Sequence, residues 1–489
     1  MTPYLVATGA CITTFAVHSQ ESLCLSERSP RRIGLPSSRE AIDTCYEPTC
    51  GEHALRPLLG EWHFAGVKLG GVGPKNGIPF FSAEGLQWVE SRCGQSANLG
   101  FASFFHSWGT SPRSISDSLG APGNQEYSQL PDRGVIEAYL ASFQSSAQRQ
   151  IFPLVKDSLF IDTIRRAYRR PQHPSGSLDA VSCVYAFAGF VTAINLRDNT
   201  LPAIKGSGCA KEAQNLLSQV LQTPATLDTL QTVLMLCTLK LLSGDLSYAD
   251  ILLAIAVRLV FQLGGNQFHS PNAALVTQNY NNAFEESAQV RTLFWVCYTL
   301  DKCLFLRTGR HPSIHDDDCD LTFPENYVEQ TSGEFEREET TYSCTLLFPC
   351  DLRLSMVVSI IYRDLYSIRG LQKSDSEILM AIRRLDHDLE TWRMSIPSHQ
   401  WLHSFSSDTF SIRIVDTRSL MNRLEYHRCM GIIHQASSRC KSWNEDTSGI
   451  SEGINSSLAL AVEASRSSIL YLNVAQSTLD EESIWWVFS

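Results

Sequence analysis

The sequence predicts an all-α protein, a multi-helix bundle of antiparallel helix pairs behind an irregular N-terminal region rich in Gly, Pro and Ser. Three observations lead there. From residue 133 onward, apolar residues return at i, i+3 and i+4 in one segment after another, the spacing that lines one face of a helix. No period-two alternation of useful length interrupts that body, which argues against strands. The longest segment, beginning at Glu285, is apolar on every side from Leu293 to Leu300 except at Thr299. A helix of that composition belongs inside a protein, with other helices around it.

The bulk numbers narrow the class further. A chain of 489 residues that is 43% apolar can bury one large core or roughly two to three ordinary ones. Its 40 Lys and Arg against 51 Asp and Glu leave a net charge of −11, which repels a polyphosphate, so a DNA contact would need a local basic patch. The 15 cysteines follow no framework spacing and suit reduced thiols, most of them small core residues. The first residues hold a short apolar run without the basic start of a secretory signal. No run approaches the ~20 apolar residues of a membrane-crossing helix, so no membrane partner is expected.

Taken in order, residues 1–57 read as a flexible leader whose arginines Arg28, Arg31 and Arg32 suit solvated charge better than a targeting signal. Residues 58–106 form a short segment rich in Gly and aromatic residues. Gly70, Gly71, Gly73 and Gly77 fit neither phosphate-loop spacing and are expected in turns, while Ser82 is placed to cap a short helix running through Trp88. Residues 107–132, dense in Ser, Gly and Pro, are a linker. The helical core is expected at 133–330. It opens with Ile136, Tyr139, Leu140 and Phe143 on one face, breaks at Pro153 and continues to Tyr168; a further apolar helix covers 181–196.

Thr226 to Leu242 then carries Leu227, Leu230, Leu234, Cys237 and Leu241 on one stripe with Thr226 as N-cap, and Leu246 to Leu263 repeats the pattern with Ile251, Leu252, Ile255 and Leu259. The short Ser243-Gly244-Asp245 connection makes them an antiparallel hairpin. Residues 331–489 are a C-terminal helical continuation. A polar, acidic loop precedes helical patterns at 352–368, 377–392, 413–435 and 458–473. The chain ends on the apolar run 484–488 before Ser489, which suggests a natural domain extending further.

The most specific stretch is Glu285 to Pro324. Inside a buried helix, Arg291 and Asp301 need partners. Gly309 suits the left-handed position just past a helix end, and Pro312 prevents the helix from resuming. The aspartates 316–318 are placed to pair with Arg307 or Arg310 and fix the turn. The succession Arg291, Phe294, Trp295, Tyr298, Asp301, Lys302, Gly309, Arg310, Pro312, Ile314, Asp316, Asp318 and Pro324 closely resembles the signature of the fungal-specific transcription factor domain. That domain is the regulatory middle region of fungal zinc binuclear cluster transcription factors. His311, inserted between Arg310 and Pro312, is a departure from the pattern. The segment 77–94 and the helix hairpin at 227–265 resemble the family more loosely. The resemblance implies a nuclear regulator of transcription by RNA polymerase II. It implies as partners other transcription regulators or co-regulators and a small-molecule effector, with the motif residues in structural roles.

The family's DNA-reading module holds two zinc ions on six thiolates, which requires C-x2-C pairs with basic residues between them. The sequence contains no C-x2-C; its closest spacings are Cys45-x4-Cys50, Cys297-x5-Cys303 and Cys344-x5-Cys350. No metal or other cofactor is therefore expected in this chain, and DNA would be reached only indirectly or through another module. His311, His315, Asp316, Asp317, Asp318 and Asp320 are the densest set of ligand-type residues, but they lack the D-x-D-x-D-G order of a calcium loop and are expected to be structural. Neither G-x-S-x-G nor H-E-x-x-H is present, and Ser207 in Gly-Ser-Gly lacks a catalytic frame, so no catalytic residue and no enzyme activity are expected. Arg165, Arg166, Arg169 and Arg170 read as a basic helix end, either a solvated face or a charge complement to the helix C-terminus. Two other classes remain open: a helical interaction scaffold unrelated to transcription, which no fixed-period repeat supports, and an enzyme with an unrecognised helical site.

Overall fold

The computed structural model describes residues 61–64, 67–72, 79–93, 130–146, 148–169, 178–194, 201–268, 278–325, 327, 346–396, 417–440 and 448–475. Strands β1 (Glu61–Phe64), β2 (Val67–Val72) and β3 (Pro79–Phe81) form a small antiparallel sheet in the order β1-β2-β3. Gly70 and Gly71 therefore lie within a strand, correcting their expected place in turns, and Gly73 and Gly77 lie outside the described residues. Close backbone approach is the reason. A Cβ on Gly70 would stand 1.9 Å from the Phe80 carbonyl oxygen, and one on Gly85 would stand 1.8 Å from that of Leu69. Helix α1 (Ala83–Cys93) thus lies directly on β2, with the Gly85 N–H donating to Ser82 Oγ at 3.0 Å as the capping role of Ser82 requires.

The remaining described elements are helical. They gather into two apolar cores. The first is built by α2 (Arg133–Ser145), α3 (Gln148–Ile151), α4 (Asp157–Ala167), α5 (Leu178–Ala193), α6 (Gly206–Val220), α7 (Leu227–Leu242), α8 (Leu246–Gln262) and most of α9 (Gln278–Thr308). Sequence patterning misses α6, whose stripe of Cys209, Ala213, Leu217 and Val220 is thin and whose opening Gly206-Ser207-Gly208 reads as a loop. Its packing on α5 supplies what the local pattern lacks. Between α5 and α8, α7 is buried around nearly its whole circumference, polar Asp228, Gln231 and Thr232 included.

Asp228 partners the basic end of α4. Arg166 reaches the Asp228 carboxylate at 2.7 Å, and Thr163 Oγ1 donates to the same group at 2.8 Å. The guanidinium sits in the last turn of α4 and the carboxylate in the first turn of α7, so each charge also complements its own helix dipole. Arg165 pairs locally with Asp162, and Arg170 lies outside the described residues.

The second core is formed by α10 (Leu352–Ile361), a π-helical stretch at Tyr362–Tyr366, α12 (Asp375–Met394), α13 (Thr417–Gln435) and α14 (Ser448–Ala475). The helix expected over 352–368 is interrupted: Ser367 is extended and caps the short α11 (Ile368–Leu371) through the Gly370 N–H. Ser374 and Glu377 form a reciprocal capping box at the start of α12. Helix α14 begins at Ser448, ahead of the apolar pattern that starts at Leu458. The α9 helix belongs to both cores, with Leu293 to Leu300 and Leu304 in the first and Phe305 and Leu306 in the second. Among the described residues no helix is long and apolar enough to cross a membrane. The leader, the linker up to residue 129 and the C-terminal apolar run lie outside the described residues.

Candidate functional site

The C-terminal half of α9 carries two polar groups at the seam between the cores. The first is the turn that ends the helix. Gly309 takes φ 69°, and its N–H donates to the Phe305 carbonyl at 2.9 Å. This is the left-handed C-terminal stop that a residue with a Cβ adopts only with strain. The chain then folds back so that Ser313 N–H and Ile314 N–H donate to the two carboxylate oxygens of Asp301, at 2.7 and 3.2 Å. Lys302 closes the loop, donating to Asp301 at 3.1 Å and to the Ile314 carbonyl at 2.6 Å, with its ammonium 4.8 Å from the centre of the Tyr298 ring. Asp301 is 4% exposed and Lys302 1% exposed. Burial pushes the Asp301 carboxyl up, while the Lys302 ammonium and the two N–H groups pull it the other way.

The rest of the motif braces this turn. Tyr298 donates to Asp316 at 2.9 Å, and Ser359 of α10 donates to the same oxygen at 2.8 Å, which links the turn to the second core. Arg291 donates to the carbonyls of Gly265, Asp320 and Thr322 at 3.1, 2.6 and 2.9 Å, and its guanidinium lies over the rings of Phe294 and Trp295. Trp295 stacks on Phe323 just before Pro324, whose carbonyl accepts from Tyr327 N–H. Pro312 is buried in the turn, and the inserted His311 hydrogen-bonds through Nδ1 to Tyr362 Oη of the π-helical stretch at 3.0 Å. The expected pairing of the aspartate run with Arg307 or Arg310 is not formed. Arg310 instead meets Asp250 at 2.8 Å and Ser247 at 3.0 Å on α8, while Asp317 and Asp318 are exposed. Helix α8 lies nearer to Arg310 than the aspartates do because α8 and α9 pack together, a proximity no local spacing encodes.

The second group begins two residues further along α9, on a different face of the helix. Cys303 and Arg307, four residues apart, share a face of α9 and meet Cys350, from the loop before α10, and Glu425, from α13. Ligand-type atoms of Cys303, Cys350 and Glu425 all come within 4.8 Å of one another, and among the described residues no set from the 311–320 run does so. Together with Phe152, Leu300, Leu304 and Met421 they line a cavity of about 30 Å³. That is room for one or two waters and not for an organic effector. Arg307 and Arg428, the latter 3.4 Å from Glu425, already supply positive charge here, so the set is compensated without a cation. Three elements remote in sequence build this group. The spacing Cys297-x5-Cys303 points to a different pairing, since Cys297 is fully buried within the first core; Cys45, Cys50 and Cys344 lie outside the described residues.

The family model described as the fungal specific transcription factor domain matches residues 143–394, just over half of the 489. Among curated proteins, the chain is 24% identical over 426 residues to an ABC-transporter-regulating transcription factor of Aspergillus oryzae, covering 81% of this chain and 45% of that protein. The Aspergillus fumigatus protein of the same name is 24% identical over 424 residues, with 81% and 45% covered. A fumonisin cluster-specific transcription factor of Gibberella moniliformis is 28% identical over 210 residues, 41% of this chain and 28% of that protein. The chain thus spans less than half the length of the curated relatives it matches, and no solved structure matches it. The matched span contains α9, the turn that Asp301 holds and the α10 serine that braces it, and the chain belongs to the fungal-specific transcription factor domain family.

Proposed function

We propose that this chain is the regulatory body of a fungal transcription regulator that works in the nucleus, controls transcription by RNA polymerase II and acts through other regulators. The observation that carries the reading is the family match over a helical body whose two cores are joined through one helix and one pinned turn. The two cores are physically tied at that turn, where Asp316 takes hydrogen bonds from Tyr298 on α9 and from Ser359 on α10. With a net charge of −11 and no C-x2-C pair in the sequence, contact with DNA is assigned to another module or to a partner factor. The cavity at the seam has room for waters and not for an organic effector, so the regulating ligand is assigned elsewhere on the body.

The test is a fusion of the chain to an unrelated DNA-binding module, with a reporter under that module's operator in a fungal host. Reporter output is expected to differ from that of the module alone, and to return to it with Asp301→Leu, which dismantles the turn. Equal output from the fusion and the bare module would overturn the reading, as would a tagged chain confined to the cytosol.

A further inference from the structure

The group at Cys303 differs chemically from the fully buried thiols among the described residues. Cys183, Cys237, Cys297 and Cys429 are fully buried, and burial pushes each thiol up, which makes them inert packing. Cys303 and Cys350 are both reduced and both partly exposed at the cavity. The Cys303 thiol moves the other way: the hydrogen bond from Cys350 lowers it most, and Arg307 and Arg428 lower it further against the opposing effects of burial and Glu425. The end of a helix disfavours an anion, so these neighbours, and not the helix dipole, hold the thiolate. Arg307 lines the same cavity, and its Nε is buried without a hydrogen-bond partner among the described residues. Cys350 arrives on a loop held in an unusual conformation. Two residues earlier Phe348 is buried at φ 55°, with Leu347 N–H and Phe348 N–H both donating to the Gln150 carbonyl.

We propose that Cys303 and Cys350 form an oxidation site for hydroperoxides, Cys303 as the nucleophile and Cys350 as the resolving thiol. The Cys303 thiolate attacks the distal oxygen of the peroxide. An S–O bond forms, the O–O bond breaks, and hydroxide or alkoxide leaves and takes up a proton, giving a sulfenic acid. The Cys350 sulfur then attacks Cys303 Sγ, forming the S–S bond as the S–O bond breaks, and water leaves with the Cys350 proton. The two thiols together lose two electrons and the peroxide gains them. A cellular thiol reverses the step by exchange. The disulfide would tie α9 to the loop entering α10, across the seam between the two cores. This chemistry goes beyond the transcriptional reading and stands or falls separately from it.

The test uses the purified chain, with no DNA and no partner. After graded hydrogen peroxide, remaining thiols are blocked with a maleimide and tryptic peptides are mapped by mass spectrometry. The expected product is a Cys303–Cys350 linked peptide that thiol reductant reverses. In Cys350→Ala, a dimedone adduct should accumulate at Cys303. Arg307→Met should raise the Cys303 thiol and slow its oxidation several-fold below neutral pH, with a smaller effect above it, while Arg307→Lys keeps the charge and most of the rate. Circular dichroism selects variants that are folded. Peroxide disulfides scattered over other cysteines, a Cys303 no faster than Cys319, or tightly bound zinc whose removal is needed for any reaction would each overturn the proposal.

Discussion

Two buried polar groups begin two residues apart on one helix, and they are finished differently. Around Asp301 the bonding closes on itself. Both carboxylate oxygens take an N–H of the turn, and Lys302 gives its donors back to Asp301 and to the Ile314 carbonyl. Around Cys303 two thiols, the Glu425 carboxylate and the Arg307 guanidinium line a small cavity, with Arg428 paired to Glu425 beside it, and Arg307 keeps a buried N–H without a partner among the described residues. The first group is bonded almost wholly to backbone and spends its charge on one chain conformation. The second is bonded side chain to side chain across three elements and leaves capacity unused. Buried polar groups of the first kind specify a structure, and those of the second kind retain chemistry.

The largest expected effect is on the closed group. Asp301→Leu removes the acceptor of two turn N–H groups and strands the buried Lys302 ammonium, so unfolding free energy should fall by about 3–5 kcal/mol in a denaturant titration. A variant of unchanged stability would show that the turn is not what holds α9 in place. Arg291→Met orphans three carbonyl acceptors and should cost roughly 1.5–3 kcal/mol by the same measurement. Tyr298→Phe removes one donor to Asp316 but leaves Ser359 in place, so about 0.5–1.5 kcal/mol is expected. Arg310→Ala breaks a half-exposed pair with Asp250 and should change stability by less than about 1 kcal/mol, diminishing further with added salt.

The two groups should also differ in the sign of their pH dependence. Asp301 is pushed up by burial, so more protons are bound in the folded state, and its contribution to stability falls as pH rises from the ordinary aspartate value of about 3.9 through the raised one. Cys303 is lowered, so its contribution is full above the ordinary thiol value of about 8.5 and is lost as pH falls through the depressed one. Stability differences between the native chain and Asp301→Asn, and between the native chain and Cys303→Ser, followed over pH, should therefore slope in opposite directions. Parallel slopes would remove the distinction between the groups.

The all-α class, the α7–α8 hairpin, the buried course of α9 and its stop at Gly309 were legible because each depends on local causes: apolar periodicity, a capping Thr226, and a glycine where φ must be positive. The need of Arg291 and Asp301 for partners was legible too, since burial of a charge demands compensation whatever the partner is. The partners themselves were not. That Arg310 meets Asp250 instead of the aspartate run, that Arg166 is drawn to Asp228, and that Gly70 sits in a strand pressed on Phe80 all follow from which helices and strands pack together. The thin stripe of α6 was missed for the same reason, because its stability comes from α5.

Glu285 to Pro324 by itself determined a buried helix, its end and the need for a braced turn, because hydrophobic burial and backbone geometry act over neighbouring residues. Only the tertiary structure decided that α9 joins two cores and that Cys303 meets Cys350, Arg307 and Glu425. Side chains from α9, the loop before α10 and α13 come within reach of one another through packing alone, and their electrostatics exist only once packing has excluded water from between them.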